Sequence, residues 1–253
     1  MAKMIVTDLD GTLLRHDKTI SKYTASILRR CIDKGIKIVV ATARPIRAVK
    51  MLDIPIKFDA AIYHNGAVID IRNENILRFG IAPQDIQNIV SAAFQNDSQA
   101  RVCIEIDDSI YGNSDASDIW PGIEINLTDF NDLPSTPADK IILLTADMSK
   151  LEPVRETMSE NLYLEISENT VGMIMHKDAT KTNAIMQLCE NFCISSDEVV
   201  AFGDDYNDIK MLQYCGAGVS VANAIGEAKS AANFICDTNE NDGVAKWIEE
   251  NIL

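Results

Sequence analysis

The sequence predicts an α/β protein in which helices cover both faces of a mainly parallel sheet. Three observations support this fold class. Short β-branched runs alternate with helical patterns, as in sheets built from βαβ units. The run "IKIVVA" (36–41) is almost continuously apolar, as expected of a strand that is covered on both faces. Polar residues follow the strands at their carboxyl ends, where open parallel sheets bind ligands.

The elements of this sheet come from the two ends of the chain. A first strand is predicted at 4–6, followed by a helix at 21–34 that Ser21 is placed to cap and Gly35 to end. The remaining predictions are a strand at 36–41, a helix from about 44 to 52, strands at 60–63 and 199–202, strands within "GAGVSVANA" and "ANFICD", and a closing amphipathic helix in "DGVAKWIEENIL".

The middle of the chain has a different pattern. Apolar and polar residues alternate in "QARVCIEI" and in part of "ADKIILLTA", which is typical of a sheet with one covered face and one open face. Helical patterns at 83–96 and 149–161 lie among these strands. We therefore predict that residues 1–81 and 179–253 form one domain and that residues 82–178 form an inserted α+β domain.

Composition narrows the class of protein. The chain has 253 residues, 47% of them apolar, which is ample for a core, and a formal charge of −15 that disfavours a nucleic-acid partner. No leader pattern opens the sequence, and no apolar run approaches the ~20 residues of a membrane span. Six cysteines without CxxC pairs are typical of a reducing compartment. We predict a cytoplasmic protein with no membrane partner, and the sequence leaves its oligomeric state open.

Two acidic clusters follow predicted strands. In "MIVTDLDGTLL", Asp8 and Asp10 stand one residue apart, and like charges this close need a compensating cation. "GDDYND" supplies Asp204 and Asp208 after a later strand. Carboxylate clusters without histidine suit Mg²⁺, which prefers oxygen ligands. Gly11 would let the backbone bend so that both early acids face the site.

Other polar groups at the same edge extend this interpretation. Thr12 and Thr42 offer hydroxyls, Asn65 an amide, and Lys181 in "DATKTNAI" a cation near the first turn of a helix. A carboxylate that attacks phosphorus needs its charge neutralised, by Mg²⁺ and by a lysine and a hydroxyl on the phosphoryl oxygens. The residues therefore predict phosphoryl chemistry.

These motifs resemble a known family. "DLDGT", the Thr in "ATARP", a downstream Lys and "GDDYND" match the four ordered motifs of the haloacid dehalogenase superfamily of phosphohydrolases. "NGA" (65–67) and the position of the insertion resemble its Cof-type branch with a type IIB cap. The resemblance implies a Rossmann-like three-layer core and an inserted cap that sets substrate specificity. Ala43 and "DATK" depart from the usual residues beside the Thr and the Lys.

The resemblance also implies a role for each matched position. Asp8 would be the nucleophile that becomes an aspartyl phosphate, Asp10 the acid and then the base, and Thr42 and Lys181 the holders of the phosphoryl group. The implied ligands of Mg²⁺ are Asp8, the carbonyl of Asp10, and Asp204. Asp208 and Asn207 would contact these ligands or the water bound to the ion. The implied substrate contacts are Thr12, Arg44, Asn65, Gly66 and Asn207.

The sequence thus predicts a Mg²⁺-dependent phosphatase acting on a small phosphorylated metabolite. By the same resemblance a sugar phosphate is the first expectation, and a nucleotide or cofactor phosphate the second. Two alternatives remain open at this point. A phosphomutase would hand the phosphoryl group to another hydroxyl. A non-enzymatic phospho-receiver module also uses acidic pairs, Thr, Lys and Mg²⁺, but is about half this length and carries its acceptor Asp after a middle strand.

Overall fold

The computed structural model describes residues 2–72, 76–120, 122–145, 147–167 and 170–253. Its contacts divide the chain into two compact units. One consists of Met1–Leu77 and Thr180–Leu253, and the other is the intervening segment Arg78–Ala179. The division expected from the sequence, at 81/82 and 178/179, lies within a few residues of these bounds. The role of the inserted unit as a cap stays a prediction.

Strands and helices are numbered here in chain order. The strands are β1 Met4–Thr7, β2 Lys37–Ala41, β3 Ala60–Tyr63, β4 Val68–Ile71, β5 Leu77–Arg78, β6 Arg101–Ile106, β7 Ser109–Gly112, β8 Asn126–Leu127, β9 Lys140–Leu144, β10 Leu162–Ser167, β11 Val171–His176, β12 Val199–Gly203, β13 Ala217–Val221 and β14 Phe234–Cys236. The helices are α1 Lys22–Asp33, α2 Ile46–Lys50, α3 Pro83–Asn96, α4 Glu152–Thr157, α5 Lys181–Phe192, α6 Ile209–Tyr214, α7 Gly226–Ala231 and α8 Gly243–Asn251.

The larger sheet confirms the predicted mainly parallel architecture. Its order is β14-β13-β12-β1-β2-β3-β4-β5, and the pairings from β14 to β3 are parallel. β1 is central, because Met4 pairs with Val199 on one side and with Lys37 on the other. β4 runs antiparallel to β3. β1, β2, β3 and β12 are buried along their whole length except at Lys37, as expected of strands covered on both faces.

Capping residues and prolines explain where several helices begin and end. The hydroxyl of Ser21 accepts a hydrogen bond from the backbone N–H of Thr24 at 2.9 Å and begins α1. The helix predicted from about 44 to 52 spans Ile46–Lys50 in the structure. It starts later than predicted because the residue before a proline disfavours helical backbone and Arg44 precedes Pro45. A helix over 149–161 would place Pro153 in its interior; α4 instead begins one residue before that proline.

The smaller sheet belongs to the inserted unit and has the order β10-β11-β9-β6-β7-β8. One face packs against α3 and α4 through residues such as Ile104 and Leu143, as the alternating pattern predicts. The other face is more covered than expected, since Cys103 and Ile142 on that face are buried beneath residues that include Trp120. Among the described residues of the whole chain, no helix combines the length and the apolar character needed to cross a membrane.

Candidate active site

The predicted site residues of the larger unit follow the carboxyl ends of its central strands. Asp8 comes directly after β1, Thr42 directly after β2, and Asp204 directly after β12. Asn65 lies in a 3₁₀ turn, His64–Gly66, immediately after β3. Because these strands are parallel neighbours, their carboxyl ends meet at one edge of the sheet.

Lys181 lies at the centre of the site and its side chain is fully buried. Its Nζ donates to Oδ1 of Asp8 and to Oδ1 of Asp208, both at 2.7 Å. Lys181 is the first residue of α5, which Thr180 caps. Gly66 permits this placement, because a Cβ on Gly66 would lie 2.3 Å from the carbonyl oxygen of Thr180. Gly66 therefore supports the position of Lys181 through close backbone packing.

A third carboxylate, that of Asp204, adjoins this pair. Thr12 donates its hydroxyl to Oδ1 of Asp204 at 2.5 Å. Gly11 has a φ of +79°, and a Cβ at this position would lie 2.4 Å from Oδ2 of Asp204, so glycine is required both for the turn and for the close approach. One oxygen each of Asp8, Asp204 and Asp208 lies within 4.8 Å of the others.

Asp208 is fully buried and is held by its neighbours on both oxygens. Its Oδ1 accepts from Lys181, while its Oδ2 accepts from the backbone N–H groups of Asp204 at 2.9 Å and Asp205 at 3.2 Å. Because both oxygens already accept hydrogen bonds, Asp208 fixes the acidic loop and orients Lys181. Asp205 itself is exposed and accepts from the backbone N–H of Tyr206, as expected of a turn residue.

Burial and crowding shift the pKa values of this cluster. Burial raises the pKa of Asp8 to about 7, against the opposing effect of Lys181 and with a further rise from Asp208. Burial likewise raises the pKa of Asp204 to about 6, against the hydrogen bond from Thr12. For Lys181, burial lowers the pKa, but the facing carboxylates of Asp208 and Asp8 outweigh it and raise the pKa above its ordinary value. The carboxylates thus carry more negative charge than one ammonium neutralises.

This donor set fits a hard divalent cation. The oxygens of Asp8, Asp204 and Asp208 converge within 4.8 Å, and carboxylate oxygen is the ligand type that Mg²⁺ prefers. Burial is the main cause of the raised pKa values of Asp8 and Asp204, and the neighbouring carboxylates raise them further; a divalent ion would cancel that negative charge. The site is therefore a candidate metal centre, as the sequence predicts.

The side chain of Asp10 points to a different set of partners. Its carboxylate accepts from Nε and Nη2 of Arg44, the latter at 2.7 Å, and from Nζ of Lys18 at 2.7 Å. Burial acts to raise the pKa of Asp10, but the hydrogen bonds from Arg44 and Lys18 outweigh it and lower the pKa. Arg44, a predicted substrate contact, thus holds the predicted acid and base in its charged form.

Two of the other predicted substrate contacts, Asn207 and Asn65, bond to each other. Asn207 donates its side-chain amide to Oδ1 of Asn65 at 2.9 Å, which joins the loops after β12 and β3. Thr42 is buried, and its hydroxyl accepts from the backbone N–H of Arg44 at 3.1 Å. Thr12 bonds to Asp204, as described above. The functional roles of these residues stay predictions.

Sequence reasoning missed two residues near the site. Lys18, which bonds to Asp10, has a φ of 64° in a turn where the backbone N–H of Arg15 donates to the carbonyl oxygen of Thr19 and that of Lys18 donates to the carbonyl oxygen of Arg15. Asn223 donates its side-chain amide to the carbonyl oxygen of Gly11 at 2.7 Å. Lys18 is not part of a sequence motif, and its contact with Asp10 depends on the conformation of this turn. Asn223 is distant in sequence, and no periodic pattern signals its contact.

Comparison with known proteins decides the family. A sequence profile of haloacid dehalogenase-like hydrolases matches residues 5–248. The chain belongs to the haloacid dehalogenase superfamily. Its predicted resemblance to the Cof-type branch of the superfamily is also confirmed.

Relatives within the superfamily align over nearly the whole chain. A Haemophilus influenzae protein, named as a presumed phosphatase, is 31% identical over 268 residues, with 99% of this chain and 98% of that protein covered. A Bacillus subtilis relative named 5-amino-6-(5-phospho-D-ribitylamino)uracil phosphatase is 26% identical, with 98% and 96% covered. The crystal structure of a haloacid dehalogenase-like hydrolase from Bacteroides thetaiotaomicron matches with a TM-score of 0.84 at 26% identity, with 99% of each chain covered. The chain described here is therefore a phosphatase of this superfamily.

Proposed function

We propose that this phosphatase hydrolyses a small phosphorylated metabolite through an aspartyl phosphate on Asp8, with Mg²⁺ as its cofactor. The observation that carries the proposal is the buried contact between Asp8 and Lys181 beside Asp204 and Asp208. A carboxylate so close to a cation and to a candidate metal centre is suited to attack a phosphate ester, because the negative charge of both reactants is compensated.

The ligands proposed for Mg²⁺ are the carboxylates of Asp8 and Asp204 and the backbone carbonyl of Asp10, with Asp208 fixing their positions. When bound, the ion would supply charge neutralisation between the carboxylate and the phosphoryl group. Lys181 contributes a second positive charge, which Asp8 and Asp208 keep protonated by raising its pKa.

The proposed reaction has two steps. First, an Asp8 oxygen bonds to phosphorus, the bond to the ester oxygen breaks, and the leaving oxygen takes a proton from Asp10. Second, Asp10 takes a proton from water, the water oxygen bonds to phosphorus, and the bond between phosphorus and the Asp8 oxygen breaks, which releases inorganic phosphate and the Asp8 carboxylate. Since Arg44 and Lys18 hold Asp10 in its charged form, the acid role requires these contacts to loosen when substrate binds.

We propose a sugar phosphate or a related polyol phosphate as the first substrate class, with nucleotide and cofactor phosphates next. The name of the Bacillus subtilis relative fits both classes, since its substrate joins a phosphorylated ribityl chain to a uracil. We assign the inserted unit the role of a cap that reads the part of the substrate remote from phosphorus. All six cysteines are free thiols, which supports the cytoplasm as the proposed compartment.

The test is phosphate release from a panel of phosphorylated sugars, sugar alcohols, nucleotides and cofactors. Asp8→Asn should abolish release, because an amide is a poor nucleophile, while Asp205→Asn in the exposed turn should keep activity within about twofold. Wild-type-like release by the Asp8 variant would refute the covalent mechanism. Isomer formation in place of phosphate release would favour a phosphomutase.

A further inference from the structure

The turn after β13 contacts both acidic loops of the site. The side-chain amide of Asn223 donates to the carbonyl oxygen of Gly11 at 2.7 Å. Two residues later, the backbone N–H of Ile225 donates to the carbonyl oxygen of Asp204 at 3.0 Å. One short turn therefore connects the loop that carries Asp8 with the loop that carries Asp204.

Asn223 is itself held in place from the next loop. Its Oδ1 accepts from the backbone N–H of Asn239 at 3.0 Å. Asn239 is buried, and its side-chain amide donates to the carbonyl oxygen of Leu14 at 2.8 Å. The turn 11–14 is thus bound at its first residue by one asparagine and at its last residue by another, and the two asparagines are bound to each other.

The position of Gly11 matters because its backbone lies directly against a carboxylate. A Cβ on Gly11 would be 2.4 Å from Oδ2 of Asp204, and the neighbouring Thr12 donates its hydroxyl to Oδ1 of the same side chain. Movement of the Gly11 peptide would therefore change the position of Asp204 relative to Asp8. The hydrogen bond from Asn223 opposes that movement.

We propose that Asn223 is a positioning residue of the metal centre, which holds Gly11 so that the carboxylates of Asp8 and Asp204 keep a separation suited to Mg²⁺. This inference rests on the proposed function, because it takes these carboxylates to be metal ligands. Asn223 lies in an exposed turn and acts through the Gly11 backbone rather than through contact with substrate.

The experiment measures Mg²⁺ affinity directly, apart from activity. Metal-free wild type and Asn223→Ala are titrated with MgCl₂, and the shift of the thermal unfolding midpoint gives the dissociation constant. The expected result is a dissociation constant about 2- to 10-fold higher in the variant, the equivalent of one net hydrogen bond. Excess Mg²⁺ should restore kcat to within about twofold of wild type, which a general loss of folded structure would not allow.

A matched control is present in the same unit. Asn233 is also exposed, and its Oδ1 accepts from the backbone N–H of Gly218 at 2.8 Å, near the amino end of β13 and so away from the site. Asn233→Ala should leave the Mg²⁺ dissociation constant unchanged. If Asn223→Ala does not fold, Asn223→Ser serves the same comparison.

The outcomes separate this inference from the proposed function. If wild type shows no Mg²⁺-dependent shift, the proposed metal centre is wrong and the role of Asn223 falls with it. If wild type binds Mg²⁺ and the Asn223 variant binds it equally well, the positioning role alone is overturned. If Mg²⁺ binding were weakened equally in the Asn233 and Asn223 variants, the positioning role would also be overturned, because the loss would then not depend on contact with the site.

Discussion

Replacing Lys181 with methionine should strongly destabilise the metal-free protein. The variant removes an ammonium that donates to Asp8 and Asp208, both at 2.7 Å, from a fully buried position. Methionine has a similar volume, so the main loss is electrostatic. Breaking a buried ion pair by removing one partner costs about 3–5 kcal/mol, because the remaining charge stays buried. That is a large part of the roughly 5–15 kcal/mol that stabilises an ordinary domain.

The size of this loss should depend on pH. Lys181 is one of the groups that lower the pKa of Asp8, so its removal raises that pKa further above its present value of about 7. At pH 5 the carboxyl can take a proton in place of the missing ammonium, and the destabilisation should be smaller than at pH 8. Added Mg²⁺ should also recover part of the loss, since it would compensate the same carboxylates.

Urea unfolding followed by fluorescence can measure the effect within the larger unit. Trp247 packs against Phe202 and Phe234, with ring centroids 5.5 and 5.6 Å apart, and reports on the sheet that carries the site. Because Trp120 lies in the inserted unit, a Trp120→Phe background isolates this signal. With a urea slope of about 2 kcal/mol per molar, a loss of 3–5 kcal/mol corresponds to a midpoint about 1.5–2.5 M lower.

The matched control removes an exposed ion pair from the same unit. Lys246 donates to Asp237 at 2.8 Å with 47% of its side chain exposed, so Lys246→Met should lower the urea midpoint far less than Lys181→Met does. An unchanged midpoint for Lys181→Met at pH 8 in EDTA would refute the view that this ammonium neutralises the buried carboxylates.

Three further predictions concern the acidic loops. Gly11→Ala should weaken Mg²⁺ binding in a metal titration, because the new Cβ would meet Oδ2 of Asp204 at 2.4 Å and the backbone φ of +79° disfavours alanine; wild-type affinity would contradict this contact. Metal-free wild type should lose stability as the pH rises from about 4 to about 7. The raised pKa values of Asp8 and Asp204, about 7 and about 6, mean that the folded state binds protons more tightly than the unfolded chain. If those pKa values were ordinary, the urea midpoint would not fall across this range. EDTA should abolish phosphate release, and Mg²⁺ should restore it better than Ca²⁺, whose looser coordination would misplace the attacking carboxylate. If Ca²⁺ restored phosphate release as well as Mg²⁺, the proposed placement of that carboxylate by the metal would be contradicted.

The core strands could be predicted from local patterns, and the convergence of the acidic loops from the geometry of a parallel sheet. Asp8 and Asp204 each follow a buried apolar run, and parallel strand ends must meet at one edge. The φ of +79° at Gly11 agrees with the expected bend, but the carboxylate of Asp10 bonds to Arg44 and Lys18 and does not join that of Asp8.

The features that the sequence did not predict depend on contacts between distant residues or on particular turns. Lys18, which has a φ of 64°, bonds to Asp10, and Asn223 bonds to Gly11 although more than two hundred residues separate the two in sequence. The packing of Trp120 against the second face of the smaller sheet falls in the same class, because alternation in a strand shows which residues share a face but not what covers it. The later start of α2 could have been predicted from Pro45.

The central position of β1 also constrains the order in which the protein can form during synthesis. Met4 on β1 pairs with Lys37 nearby and with Val199 far along the chain, so half of the sheet contacts of β1 await a strand made much later. The inserted unit is complete at Ala179, before β12 leaves the ribosome. We therefore expect the insertion to fold first on the nascent chain, while the segment that carries Asp8 stays without its final neighbour until translation is nearly finished.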